Sequence, residues 1–238
     1  MDKINFKTNN KNINNLIGQL KKKSGRDVEI FFGEMTIGVN ETLMSRIING
    51  VPEIIVKHGY NFTEEEIYHE SFHLLIRIEN GIYDFKIGGN LLDFLKVNIQ
   101  GPMAVLSKTH SILHHAYFFQ KMINNEFSPG KYLENQLKDR IEQYKCVYPN
   151  DKDIHNILDV WHIALSMEDK NLNTELYLEK LRGFNQNNYD QGMKLLAISK
   201  SFTDPNKESD VFCNILKELL NYTNNVKYSK IDLSVTYE

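Results

Sequence analysis

The sequence predicts an α+β, mainly helical fold, with a short N-terminal sheet and one motif helix forming a small core ahead of a helical C-terminal half. Three observations carry that expectation. Two short runs rich in β-branched and aromatic residues, Val28–Phe32 and Glu53–Lys57, lie in the first quarter of the chain. Residues 63–79 combine a helix-start signal with apolar residues at helical spacing. From residue 82 onward the apolar residues recur mostly at helical intervals.

Taken in order, residues 12–23 read as a first helix, with Ile13, Leu16, Ile17 and Leu20 on one face and Gly25 as its stop. Val28–Phe32 reads as a strand. Asn40 is expected to cap a second helix carrying Leu43, Met44, Ile47 and Ile48, ended by Gly50. Pro52 opens a second strand, Glu53–Lys57, which Gly59 closes. Thr63 and Glu66 then form a capping box, in which each side chain satisfies the other residue's backbone donor. The helix they start runs to about Glu79, with Gly81 at its end and Ile67, Leu74, Leu75 and Ile78 available for burial.

Beyond it, Ile82–Ile87 reads as a short hairpin or loop. Helices are expected over 90–98 and 103–124, with a break near Gly101-Pro102. Ser128-Pro129 is a cap followed by a first-turn proline, starting a helix that reaches about Lys145. Further helices fit 151–167, 173–182, 188–201 and 208–222, with Asp204–Asp210 as a loop and 226–238 as a loosely docked tail. The implied organisation is a core over 1–125 and a helical subdomain over 126–238 packed on it, or one continuous domain.

A net charge of −3 over 238 residues gives no general case for nucleic-acid binding. The one basic run, Lys21-Lys22-Lys23, ends a helix, where cations suit the dipole. Cys146 and Cys213 form neither a C-x-x-C pair nor a disulfide framework and read as reduced thiols. Met1–Asn15 is polar and Asn-rich, without the apolar stretch of a secretory signal, and no apolar run is long enough to span a membrane. These features point to the cytoplasm and away from membrane partners. They leave the oligomeric state open.

The chemistry concentrates at His69-Glu70-Ser71-Phe72-His73. Residues four apart share a helix face, so both imidazoles can point at one metal ion. Glu70, one step round, can reach a water on that ion and act as its base. A catalytic zinc takes three protein ligands and keeps one position for water. Candidates for the third are His110, His114 and His115 on a later helix, or a carboxylate such as Glu126 or Glu134. His110 and His114 share a face, whereas His115 lies about 100° round from His114. His58, His155 and His162 read as ordinary imidazoles, with a supporting place beside a metal ligand left open for His162, next to Trp161.

With these residues the chain resembles the HExxH zincins, in particular the SprT-like zinc metalloproteases. There a His on a second helix, followed by a Phe four residues on, completes the site; His115 and Phe119 are the matching positions. The match covers roughly residues 50–125. Ala116 stands where the family often has Gly, and the Cys pairs of the SprT zinc ribbon are missing. The resemblance implies a Zn2+ cofactor held by His69, His73 and His115, with Glu70 as general base in hydrolysis of a protein or peptide substrate. The missing zinc ribbon and the lack of a basic patch, both departures from that family, weigh against carrying over a DNA-repair role or a nucleic-acid partner. Tyr117 and Tyr132 are candidate oxyanion donors. The resemblance also places the strand at 53–57 beside the cleft, either as an edge to which a peptide adds or as a plain core strand. Two alternatives stand beside this reading: an ImmA/IrrE-like regulatory protease, whose third ligand is a carboxylate, and a non-catalytic interaction protein on a zincin fold.

Overall fold

The sheet is built from four short strands, and one two-residue turn sets the pairing of the last two. In the computed structural model, which describes residues 2–34, 42–80, 85–87, 102–129, 133–134, 138, 141–142, 153–224 and 235–237, the strands are β1 (Asp2–Lys3), β2 (Glu29–Gly33), β3 (Leu43–Ile48) and β4 (Val51–Lys57). Their order is β1-β2-β4-β3, with β2 and β4 parallel and the outer pairs antiparallel. The expected helix over 43–48 is therefore corrected to a strand. Asn49 and Gly50 both have positive φ, 51° and 75°, the backbone of the two-residue hairpin turn that an Asn-Gly pair favours. That turn folds Ile47-Ile48 back onto Val51-Pro52. Gly50 ends the segment as expected, but as a hairpin residue. Asn40 lies outside the described residues.

Pro52 has no N–H to donate, and its register explains how it sits in β4. Lys57 donates to Thr42 at 2.9 Å, so the pairs that exchange hydrogen bonds alternate along the hairpin and skip Ile47–Pro52. The parallel register with β2 begins one residue later, at Glu29–Glu53. β4 lies between β2 and β3, which settles residues 53–57 as a core strand: Ile54, Ile55 and Val56 are all buried. Among the described residues the edges are β1 and β3.

Two helices cover this sheet. α1 (Lys11–Ser24) starts where Asn10 Oδ1 accepts from the N–H of Asn12 and Ile13, and stops at Gly25, whose φ of 69° lets its N–H reach Lys21. It buries Ile13, Leu16 and Leu20. α2 (Glu64–Asn80) packs against α1, β3 and β4.

The chain divides into two compact units, Met1–Asp84 with Tyr237–Glu238, and Phe85–Thr236. The division falls about forty residues before the expected position at 125. The reason is that α3 (Pro102–Asn124) packs with the later helices α4 (Ile154–Ala164), α6 (Gln186–Ser199) and α7 (Glu208–Asn224). α5 (Thr174–Phe184) packs on α4 and α6. The core of this helical unit is aromatic, with Phe118, Phe119, Trp161 and Phe212 wholly buried and the Trp161 indole donating to Ser199 Oγ at 3.0 Å. Gly192 of α6 lies against Val160 of α4, where a β-carbon would come within 2.6 Å of the valine. Asp204–Asp210, expected as a loop, is instead a 3-10 turn, Pro205–Lys207, leading directly into α7. The pieces Phe85–Ile87 (β5) and Val235–Tyr237 (β6) pair as two strands. Of the helix expected from Ser128-Pro129, residues 129, 133–134, 138 and 141–142 are helical. The expected helix at 90–98, the stop at Gly81 and Cys146 lie outside the described residues. The architecture is α+β and mainly helical, and no helix of the described residues is long and apolar enough to cross a membrane.

Candidate metal centre

α2 is fixed at both ends before it presents any chemistry. At its start Thr63 donates its backbone N–H to a Glu66 carboxylate oxygen at 2.7 Å, while Thr63 Oγ1 accepts from the Glu66 N–H at 3.2 Å. This is the expected capping box, and the Tyr60 hydroxyl joins it by donating to the other Glu66 oxygen at 2.6 Å. Burial and that carboxylate together push the Tyr60 hydroxyl above its ordinary range. Towards its end Arg77 donates to the Ser45 carbonyl of β3 at 2.7 Å, and Glu79 pairs with Lys23 of α1 at 3.1 Å. The middle of the helix is buried on every side from Glu66 to Ile76.

That middle carries the motif. His69 and His73, one turn apart, are 4% and 6% exposed, and their Nε2 atoms stand 3.2 Å apart. Two imidazole nitrogens on one tetrahedral zinc, each about 2.05 Å from it, would stand about 3.3 Å apart. The donor spacing therefore fits a metal ion, and imidazole donors suit zinc, copper, iron and nickel alike. Burial pushes His69 down to about 3, so its ring is neutral at ordinary pH. Glu70 is 8% exposed and three residues before His73, on the neighbouring strip of the same helix.

The histidine candidates for the third position lie on α3, in the helical unit. His115 is 3% exposed and its Nδ1 is 2.6 Å from Nε2 of His162 on α4. The two rings stack with centroids 4.6 Å apart, and the Phe119 ring stacks with His115 at 4.4 Å and lies 5.7 Å from His162. The place of His162 next to His115 follows from helix packing across 47 residues, which no local pattern encodes.

His110 and His114 share a face, as their spacing requires, but they meet a third residue that sequence reading missed. Both Nε2 atoms contact the same Glu208 oxygen, His114 at 2.9 Å. Glu208, the first residue of α7, is 1% exposed. Burial would raise its carboxyl, but the two imidazoles outweigh that and hold it well below the usual carboxylate range. The three offer ligand atoms all within 4.8 Å of one another, so this buried group can hold a metal ion.

The other candidates are placed elsewhere. Glu126 is exposed, with a positive φ of 66°, and Glu134 is held by Lys138 at 3.2 Å and the Tyr177 hydroxyl at 3.4 Å. Tyr117 packs beside Phe202 and lies under the Lys121 ammonium. Tyr132 lies outside the described residues.

No protein-family model, curated protein or solved structure matches this chain.

Proposed function

We propose that this chain is a zinc-dependent metallopeptidase of the HExxH type, similar to the SprT-like zincins. The observation that carries the reading is the pair of buried Nε2 atoms of His69 and His73, spaced 3.2 Å apart on a helix pinned at both ends, with Glu70 beside them. His69 and His73 would hold the metal, and His115 is assigned as the third ligand, a position that rests on the sequence resemblance. The His162 contact supports it, because metal-binding imidazoles are commonly oriented through their other nitrogen. When bound, zinc supplies a Lewis acid that acidifies water and polarises a carbonyl.

The protein's own residues supply the rest. Glu70 is the one carboxylate inside the motif, and its role is to accept a proton from the attacking water and deliver it to the leaving amine. The capping box and the Arg77 anchor hold α2 in place, so the His pair and Glu70 keep their relative positions as the proton moves. The substrate class is a protein or peptide.

The deciding experiment pairs zinc analysis with peptide hydrolysis for the intact chain and for Glu70→Gln. The expected result is unchanged zinc content and a loss of hydrolysis of at least about a hundredfold. Equal hydrolysis by the two proteins overturns catalysis by this site. Unchanged zinc content after His115→Ala overturns the three-histidine assignment.

A further inference from the structure

We infer that His110, His114 and Glu208 form a second metal site, built into the helical unit and separate in its residues from the motif on α2. Three side chains from two helices converge there: the His110 and His114 imidazoles, one turn apart on α3, and the Glu208 carboxylate at the head of α7. Both imidazoles address the same carboxylate oxygen, and the three ligand atoms lie within 4.8 Å of one another. Exposure is 8%, 1% and 1%. A carboxylate so withdrawn from water requires strong compensation, and a divalent cation supplies more of it than a proton shared with imidazole.

The donor set sets the class of ion. Two imidazole nitrogens and one carboxylate oxygen, with no thiolate, suit zinc or another late first-row divalent ion rather than calcium or magnesium, which prefer all-oxygen shells. The Phe212 ring lies edge-on to His110, with 5.4 Å between centroids. Glu208 is delivered to this place by a defined local structure. Asp204 accepts from the Asn206 N–H at 3.0 Å, the 3-10 turn Pro205–Lys207 follows, and α7 begins at Glu208. The ion would join α3 to α7 across 94 residues of chain. It would hold the stretch of α3 whose next residue is His115.

The test uses the full chain with His69→Ala/His73→Ala, which removes the motif donors and leaves the second cluster intact. Zinc alone is the probe, read as stoichiometry after gel filtration and as thermal unfolding. The expected result is one retained equivalent and a Tm raised by roughly 5 °C or more at a hundredfold excess of zinc over Kd. A cobalt-loaded sample of the same variant should show visible absorption of a low-coordinate His/carboxylate site. The further changes His110→Gln and His114→Gln should abolish both signals. No retained zinc together with an unmoved Tm would overturn the site and leave a proton-bridged His–Glu–His cluster. Retained zinc that survives His110→Gln/His114→Gln would also overturn it. Should the motif bind no metal, the unaltered protein would hold one equivalent that depends on His110 and His114, so failure of the two sites can be told apart.

Discussion

Nδ1 of His115 lies 2.6 Å from Nε2 of His162, with the two rings nearly parallel at 18°. One of the two must donate. If His115 is to bind a metal through Nε2, its proton sits on Nδ1 and His162 accepts. His162→Ala should then weaken zinc binding at the motif site by roughly 10–100-fold, while Glu70-dependent chemistry persists at saturating zinc. Competition with a chromogenic chelator gives the affinity. His162→Asn, which restores a polar partner, should recover part of it; equal affinity in all three proteins would remove His162 from any positioning role.

The hairpin turn sets up a stability prediction. Gly50 has φ 75°, a region that costs an L-residue about 1 kcal/mol or more. Gly50→Val should lower unfolding stability by roughly 1–2 kcal/mol, because a β-branched residue tolerates this backbone poorly. Asn49→Gly, at φ 51°, should be nearly neutral. Urea unfolding checks both, and a Gly50→Val protein as stable as the parent would mean that the turn is not formed in solution.

This turn also shows where sequence reading ran out. Leu43, Met44, Ile47 and Ile48 fit helical spacing, and a run of six residues cannot choose between a helix and a buried strand by period alone. The Asn49-Gly50 pair is the deciding local signal, since both residues suit the positive φ of a hairpin turn, whereas a helix stop needs only Gly50. By contrast, α1 and α2 are legible because their end signals are local: Gly25 for one, Thr63 and Glu66 for the other. The same contrast holds at the sites. The His69/His73 pair is a four-residue relationship that a helix enforces. Glu208 meets His114 across 94 residues, and His162 meets His115 across 47, through packing that no short pattern carries.

Packing of α4 against α6 makes a sharp case at Gly192. A β-carbon there would lie 2.6 Å from the Val160 side chain and 2.8 Å from the Ile157 carbonyl oxygen, and the latter is backbone that cannot swing aside. Alanine is the better helix former by about 1 kcal/mol, so propensity and packing oppose each other. Overpacking of this kind costs roughly 1–3 kcal/mol and should win. Gly192→Ala is expected to lower Tm. Gly183→Ala, on α5 with open space around it, should raise Tm slightly and serves as the control. Stabilisation at both positions would mean that α4 and α6 pack less closely than 2.6 Å implies.

Glu218 of α7 gives a pH dependence with a definite sign. Burial pushes its carboxyl up, but the Lys194 ammonium at 2.5 Å and the Gln191 amide at 3.1 Å prevail and hold it below the ordinary value of 4.5. Its folded pKa is thus lower than its unfolded one, so the folded chain binds fewer protons through this group. The stabilisation is complete above the unfolded value of 4.5 and is lost as pH falls from there through the folded pKa. Since the pair is partly open to water, with Lys194 57% exposed, the effect is small and weakens with salt. Thermal unfolding of the parent and of Glu218→Gln, followed from pH 7 to pH 3, should show the difference between them shrinking as pH drops. A difference that stays constant over that range would mean that Lys194 and Gln191 do not hold the charged carboxylate in solution.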